Sequence, residues 1–263
     1  TITFKNHNME LYYEQVRYFD PDLIISDLEP FTSYIANVLN KRLWHCSPSL
    51  LYYAVPMTTK IHLNIYRSYN FIFRNISMQQ YIKNSIVNAD RNYIYSHFGD
   101  TELIDIPDNF EWVRPFHVTG RVSKTCEHNM VAGLLKNDKA TINFIKSYSD
   151  SVLFTPLTNE YYSDVKLKNI YDQDEYSCNL KNCKFSVTAG HADFLADAYY
   201  NGKHPFILPD FKEPECIINS LLSDKFGFGT VLYGRQPIDT VPNGHDVKRN
   251  PAIKSLVDRI EEL

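Results

Sequence analysis

The sequence predicts an α/β protein with parallel sheets, divided into two domains. Three observations predict it. Short apolar runs alternate with helical stripes along most of the chain. Those runs are continuous rather than alternating, as in strands covered on both faces. A stretch at 120–124, Gly-Arg-Val-Ser-Lys, separates two such series and divides the chain into 1–119 and 120–263.

The elements follow in order. Residues 1–4 read as a short strand. Met9, Tyr12, Val16 and Phe19 recur at helical spacing, and Asp20-Pro21-Asp22 stops that helix. Leu23-Ile24-Ile25-Ser26 is a strand buried on both faces. Pro30 suits the first position of a helix, with Asp27 and Glu29 just ahead and Phe31, Ile35 and Val38 on its face. Residues 42–46 form the next strand. Residues 47–90 are aromatic and basic, mostly helical with loops; 92–96 is a strand, 105–108 a turn and 112–118 extended. In the second half, 139–147 is a helix, and 151–155 and 165–170 are strands. A strand at 184–188 runs into Ala189-Gly190-His191, and a helix follows to Asn201. Residues 206–209 form a strand, 213–226 a helix and 230–233 a strand. Ile253, Leu256, Val257, Ile260 and Leu263 make a closing amphipathic helix.

Composition narrows the class. The chain has 263 residues, enough to bury a core, and at 44% hydrophobic and 22% charged it reads as globular. No window approaches the roughly 18 consecutive apolar residues of a membrane span. Residues 1–9 lack the pattern of a signal peptide. The five cysteines are scattered, with no zinc spacing and no disulfide framework, which predicts free thiols in a reducing cytoplasm. No metal cluster is apparent. No nucleophile elbow supports a serine hydrolase, and His45, His97 and His117 stand isolated and read as structural. Tyr, Asn, Ile and Lys are abundant and Gly is scarce, a bias that accompanies AT-rich genomes such as those of phages. Charge is uneven. Residues 41–91 hold seven bases (Lys41, Arg42, Lys60, Arg67, Arg74, Lys83, Arg91) against Asp90 alone, so this stretch is +6 in a chain of −4 and the remainder is −10.

The strongest local signal is the run from Ser186 to Glu213. A strand ends in a small Gly-containing turn, and a helix opens directly after it. Free N–H groups at that helix start suit a diphosphate. Asp197 lies about two turns along the helix, where a carboxylate can accept from a ribose diol. The next strand ends at Pro209, and its loop offers Glu213. An ordinary strand–turn–helix without ligand is the other reading of such a fragment. Asp197 is followed by Gly202 five residues on, Pro209 twelve on and Glu213 sixteen on.

These intervals resemble the donor-site signature of the GT-B glycosyltransferases, the superfamily of UDP-glucuronosyltransferases and the murein glucosaminyltransferase. The resemblance implies two Rossmann-like domains facing a cleft. It implies that Gly190 and His191 line a pyrophosphate, Asp197 binds ribose and Glu213 holds hydroxyls of the transferred sugar. UDP-glucose is the donor expected by resemblance, with no cofactor and no essential metal. The sequence departs from the family in two places: Asp197 stands where Glu is usual, and Pro214 where Gln follows the second acid. Residues 21–30 resemble the mid-domain strand of one prokaryotic GT-B group, which ends in an acidic loop. The opening strand and Gly-rich loop of that domain have no counterpart upstream, so the N-terminal domain is expected to be reduced or to have lost a segment, and a homodimer is one way to cover its sheet edge.

Transfer needs a base on the acceptor hydroxyl and charge stabilisation on the leaving diphosphate. Asp27 is the first candidate base and Glu29 the second; capping of the helix at Pro30 is the alternative for either. Arg121 is a candidate diphosphate cation or a surface ion pair. His191 donates to phosphate or packs in the turn. The basic stretch interleaves Lys60, Arg67, Arg74 and Lys83 with Trp44, Tyr52, Tyr53, Tyr66, Tyr69, Phe71, Phe73 and Tyr81. Cations bind phosphate and aromatic faces stack on bases. Together with the compositional bias this resembles phage DNA-modifying glucosyltransferases of the T-even type, which add a second glucose to glucosylated hydroxymethylcytosine. The resemblance implies a DNA acceptor and a location in the host cytoplasm. A lipid-linked or polysaccharide acceptor at a membrane face, a non-catalytic DNA-binding protein and a plain solvated face remain the alternatives.

Overall fold

The computed structural model describes residues 7–55, 69–98, 106–115, 128–133, 139–156, 166–169, 172–232 and 255–262. Helix α1 (His7–Phe19) leads into β1 (Leu23–Ser26). Helix α2 (Pro30–Val38) connects β1 to β2 (Arg42–Ser47), and α3 (Ser49–Ala54) and α4 (Tyr69–Ile86) lie between β2 and β3 (Arg91–Tyr95). With β4 (Phe110–Val113) these strands form a four-stranded sheet in the order β1-β2-β3-β4, parallel throughout. Leu43 and Ile94, on its two central strands, are buried, as a parallel sheet covered on both faces requires.

The second half begins with β5 (Met130–Gly133), α5 (Lys139–Lys146), β6 (Ser151–Thr155) and β7 (Lys166–Asn169). Then come α6 (Gln173–Asn182), β8 (Phe185–Thr188), α7 (Ala192–Tyr200), β9 (Phe206–Ile207), α8 (Pro214–Lys225) and β10 (Thr230–Val231). The six-stranded sheet runs β10-β9-β8-β5-β6-β7, again all parallel. Counted from β5, this is the doubly wound order 3-2-1-4-5-6, whose direction reverses between β5 and β8. Alternate residues of β5 feed opposite cores. Met130 and Ala132 pack with Ile145 and Val187, while Val131 packs with Phe154, Tyr176 and Phe194.

Two elements differ from the sequence expectation. The central strand β5 has no counterpart in the sequence expectation, because it is held in place by β6 and β8 on either side, which lie elsewhere in the chain. Helix α6 had also been missed, because its buried residues include Ser177 and Asn179 and make no apolar stripe. The expected strand at 1–4 and the boundary at 119/120 lie outside the described residues.

The halves share packing. Leu50, Leu51, Tyr52, Ile82 and Ile94 of the first half form one core cluster with Ile217, Ile218 and Leu222 of α8. The last helix, α9 (Leu256–Glu261), lies on the first sheet although its sequence position is in the second half. Leu256 packs with Trp44, Tyr93 and Val113, Arg114 bridges to Ser255, and Arg259 pairs with Glu111 at 3.0 Å. Among the described residues, no helix is long and apolar enough to cross a membrane.

Candidate active site

The turn after β8 stands at the reversal point of the second sheet, where open α/β sheets bind ligands. Gly190 has φ +95°, and a Cβ there would lie 2.3 Å from Ser220 Oγ and 2.5 Å from the Cys216 carbonyl oxygen. Only glycine fits a turn held this closely against α8. The Gly190 N–H donates to Thr188 Oγ1 at 3.2 Å, and Asn219 Nδ2 donates to the Gly190 carbonyl at 3.3 Å. Gly133, at the end of β5, leaves room for the Phe194 ring, which a Cβ would approach to 2.5 Å. Helix α7 therefore seats directly on β5. His191 is the N-cap residue of α7, and its side chain makes no capping bond to the helix. The first turn thus presents its N–H groups as an anion-binding feature. His191 Nδ1 lies 3.3 Å from Cys216 Sγ.

Asp197 lies further along α7 and is buried. Burial, and then the Asp197 charge, push the Tyr176 phenol of α6 well above its ordinary pKa. Glu213 is the half-buried N-cap residue of α8, also without a side-chain capping bond.

Across the cleft, Asp27 is exposed in the turn after β1. Leu28 adopts φ 55° with its side chain buried at 3% exposure, a conformation costing on the order of 1 kcal/mol or more that the surroundings must enforce. The Tyr81 hydroxyl donates to the Leu28 carbonyl, and the Glu29 N–H donates to Ser26 Oγ at 3.0 Å. Glu29 caps α2: its Oε2 accepts from the Thr32 N–H at 2.8 Å and the Thr32 hydroxyl at 3.2 Å. The two acids of this loop therefore differ, with Glu29 holding the helix start and Asp27 exposed to the cleft, where its charge acts on Asp193 and Glu215.

The carboxyl ends of both sheets meet here. The Tyr95 hydroxyl, at the end of β3, hydrogen-bonds Asp193 in the first turn of α7. Ser49 Oγ, in the first turn of α3, donates to Glu215 Oε2 at 2.6 Å in the first turn of α8. Burial, then Asp27, raise the Asp193 pKa against the Tyr95 bond. Burial raises the Glu215 pKa to about 7, against the Ser49 bond and with help from Asp27, Asp193 and Glu213. Burial, then Asp27, also push the Cys46 thiol up to about 12. Sequence reasoning had missed Asp193, Glu215, Tyr95 and Ser49. The available signal was position: each stands at a strand's carboxyl end or in the helical turn that follows.

Lys83 is exposed on α4. Arg74 falls within α4, but its side chain, like Lys60, Arg67 and Arg121, lies outside the described residues. His45 is buried, with Nε2 3.1 Å from the Ser85 carbonyl. His97 is buried among Phe98, Tyr199 and Phe228, and burial lowers its pKa to about 3. Both are structural; His117 is outside the described residues. Among the described residues, no group of three or more His, Cys, Asp or Glu side chains is placed to hold a metal.

Among solved structures, this architecture is similar to the spinosyn forosaminyltransferase SpnP (TM-score 0.54, 13% identity, 87% of this chain and 67% of that chain). It is similar also to the calicheamicin glycosyltransferase CalG4 (TM-score 0.52, 12% identity, 88% and 69%). A third is Phytolacca americana UGT2, complexed with UDP-2fluoro-glucose and pterostilbene (TM-score 0.52, 10% identity, 88% and 68%). No protein-family model matches the sequence, and no curated protein matches it. The likeness establishes the fold: parallel α/β sheets in the GT-B arrangement.

Proposed function

We propose that this chain is a nucleotide-sugar-dependent glycosyltransferase. The observation that carries the reading is the apposition at the cleft. The Gly190–His191 turn and the start of α7 stand at the reversal point of one sheet, and Asp27 stands at a strand end of the other, close enough to raise the Asp193 carboxyl. The donor diphosphate lies against the N–H groups of α7 and His191, with Arg121 as a further cation. Asp197 takes the ribose and Glu213 the hydroxyls of the sugar. Asp27 accepts the proton of the acceptor hydroxyl as that oxygen bonds to the anomeric carbon, while the bond from that carbon to the diphosphate oxygen breaks and its electrons leave with the diphosphate. A single displacement of this kind inverts the anomeric centre. Dipoles and N–H groups supply the charge stabilisation, so the reaction proceeds without metal.

The donor is UDP-glucose, and the acceptor is a hydroxyl on hydroxymethylcytosine, already glucosylated or not, in phage DNA. The basic, aromatic stretch of the first domain supports that acceptor. The test is transfer of labelled glucose from UDP-glucose, in EDTA, to plain DNA, hydroxymethylcytosine DNA and the glucosylated form. Label on either modified DNA supports the reading, and Asp27→Asn is expected to cut it at least about 100-fold. UDP binding without label on any DNA overturns the DNA acceptor.

One observation favours a second acceptor class. An open cavity of about 520 Å³ beside α1 and α2 is lined by Tyr12, Val16, Phe19, Ile24, Phe31 and Ile35. An apolar groove of this size suits the lipid part of a lipid-linked sugar. Label on such an acceptor, and none on DNA, decides for it.

A further inference from the structure

His191 and Cys216 come from two different helix starts. His191 is the N-cap residue of α7, and Cys216 lies in the first turn of α8. Two features hold them opposite each other. The Gly190 turn presses against the Cys216 carbonyl, and Ser220 Oγ donates to that same carbonyl at 2.5 Å. Cys216 is 1% exposed and His191 half-buried. The thiol end of the pair is thus sealed in protein, while the imidazole keeps partial exposure.

Two proton arrangements satisfy the 3.3 Å contact between Cys216 Sγ and His191 Nδ1. In one, the thiol donates to Nδ1 and the ring proton sits on Nε2. In the other, Nδ1–H donates to sulfur and Nε2 carries a lone pair. Their consequences for a phosphate oxygen are opposite, because an N–H attracts it and a lone pair repels it. Imidazole nitrogen is a good acceptor, and neutral thiol sulfur a weak one. A helix start favours a thiolate, but burial of Cys216 at 1% exposure opposes the charged form and keeps the neutral thiol. The first arrangement is the better bonded.

We propose that Cys216 is a positioning residue for His191: its thiol occupies Nδ1 and holds the imidazole as the Nε2–H tautomer, a donor to the diphosphate. This rests on the donor-site reading above. The tautomer itself is read without any ligand, from the ring ¹⁵N shifts of His191 in the folded protein at a pH where the ring is neutral. The expected result is one locked Nε2–H form in the wild type, with the two shifts moving towards each other in Cys216→Ala as the tautomers begin to exchange. Cys216→Ser, which keeps an O–H donor, restores the separation in part. UDP titration of the same proteins gives the functional arm. The dissociation constant is expected to rise about 2-fold or more in Cys216→Ala and less in Cys216→Ser, and Cys216→Ala is expected to add nothing further once His191→Ala is present. A protonated Nδ1 in the wild type, or shifts unchanged by Cys216→Ala, overturns the proposal. Failure of the wild type to bind UDP while its shifts respond as expected overturns instead the donor-site reading, and with it the diphosphate as target of Nε2–H.

Discussion

Glu215→Gln removes a charge from the cleft without changing its shape, and Gln keeps an acceptor for the Ser49 hydroxyl. In the folded protein the Glu215 carboxyl titrates at about 7 rather than at its ordinary 4.5. Below about pH 4.5 it is protonated in both folded and unfolded chains and has no effect on their balance. Between 4.5 and 7 the unfolded chain releases a proton that the folded protein keeps, so stability falls as pH rises. Above 7 the loss is complete. A displacement of about 2.5 on the pH scale, at about 1.4 kcal/mol per pH unit, sets that loss on the order of 3 kcal/mol. The glutamine variant escapes it. At roughly 2–4 °C per kcal/mol for a chain of this size, Glu215→Gln is expected to melt several degrees above the wild type at pH 8 and to match it near pH 4.5. Thermal unfolding followed by circular dichroism at pH 4.5, 6, 7 and 8 measures this. A difference in Tm independent of pH, or a variant less stable at pH 8, would refute the reasoning, because burial among Asp27, Asp193 and Glu213 would then not be what raises the carboxyl.

Three further outcomes are expected. Gly190→Ala, facing Ser220 Oγ and the Cys216 carbonyl at φ +95°, loses more than about 3 kcal/mol, while Gly202→Ala at φ +70°, with no atom within 4 Å, loses only about 1 kcal/mol by chemical denaturation. His97→Phe fills the same aromatic site without two buried nitrogens that have no partner among the described residues, a gain on the order of 1–3 kcal/mol. Because His97 titrates at about 3 instead of 6.5, the wild type loses stability as pH falls below 6.5, so that gain in Tm is larger at pH 5 than at pH 8. Glu29→Ala removes the α2 cap and lowers stability by about 1 kcal/mol, with kcat within a few-fold of wild type, in contrast to Asp27→Asn.

Much of this was legible in the sequence where local chemistry decides the structure. Pro30 and the acids before it marked α2, and Leu23–Ser26 is a strand as its apolar run implied, but it is not buried on both faces: it is the edge strand of its sheet and leaves Ile25 40% exposed. The strand, Gly190 turn and helix at 185–200 stand as expected, because a positive-φ glycine and an apolar run are both local facts. Strand β5 was not legible, since it owes its existence to neighbours on both sides, β6 and β8, that are distant in the chain. The partners of Asp27 were not legible either. Asp193 and Glu215 approach it only because two sheets present their carboxyl ends to each other, and no spacing along the chain encodes that approach. The place of α9 was hidden for the same reason: an amphipathic stripe shows that a helix has an apolar face and leaves open which surface receives it.

The return of α9 to the first sheet has a consequence for the order of assembly. Trp44, Tyr93 and Val113 find their cover in Leu256, about two hundred residues after Trp44, and such distant closure is slow compared with local helix formation. On the ribosome the first sheet can form its β1 to β4 pairings early, yet one face waits for residues synthesised after the whole second sheet. The half that begins first is thus completed last, and the second domain acquires its fold before its partner is sealed.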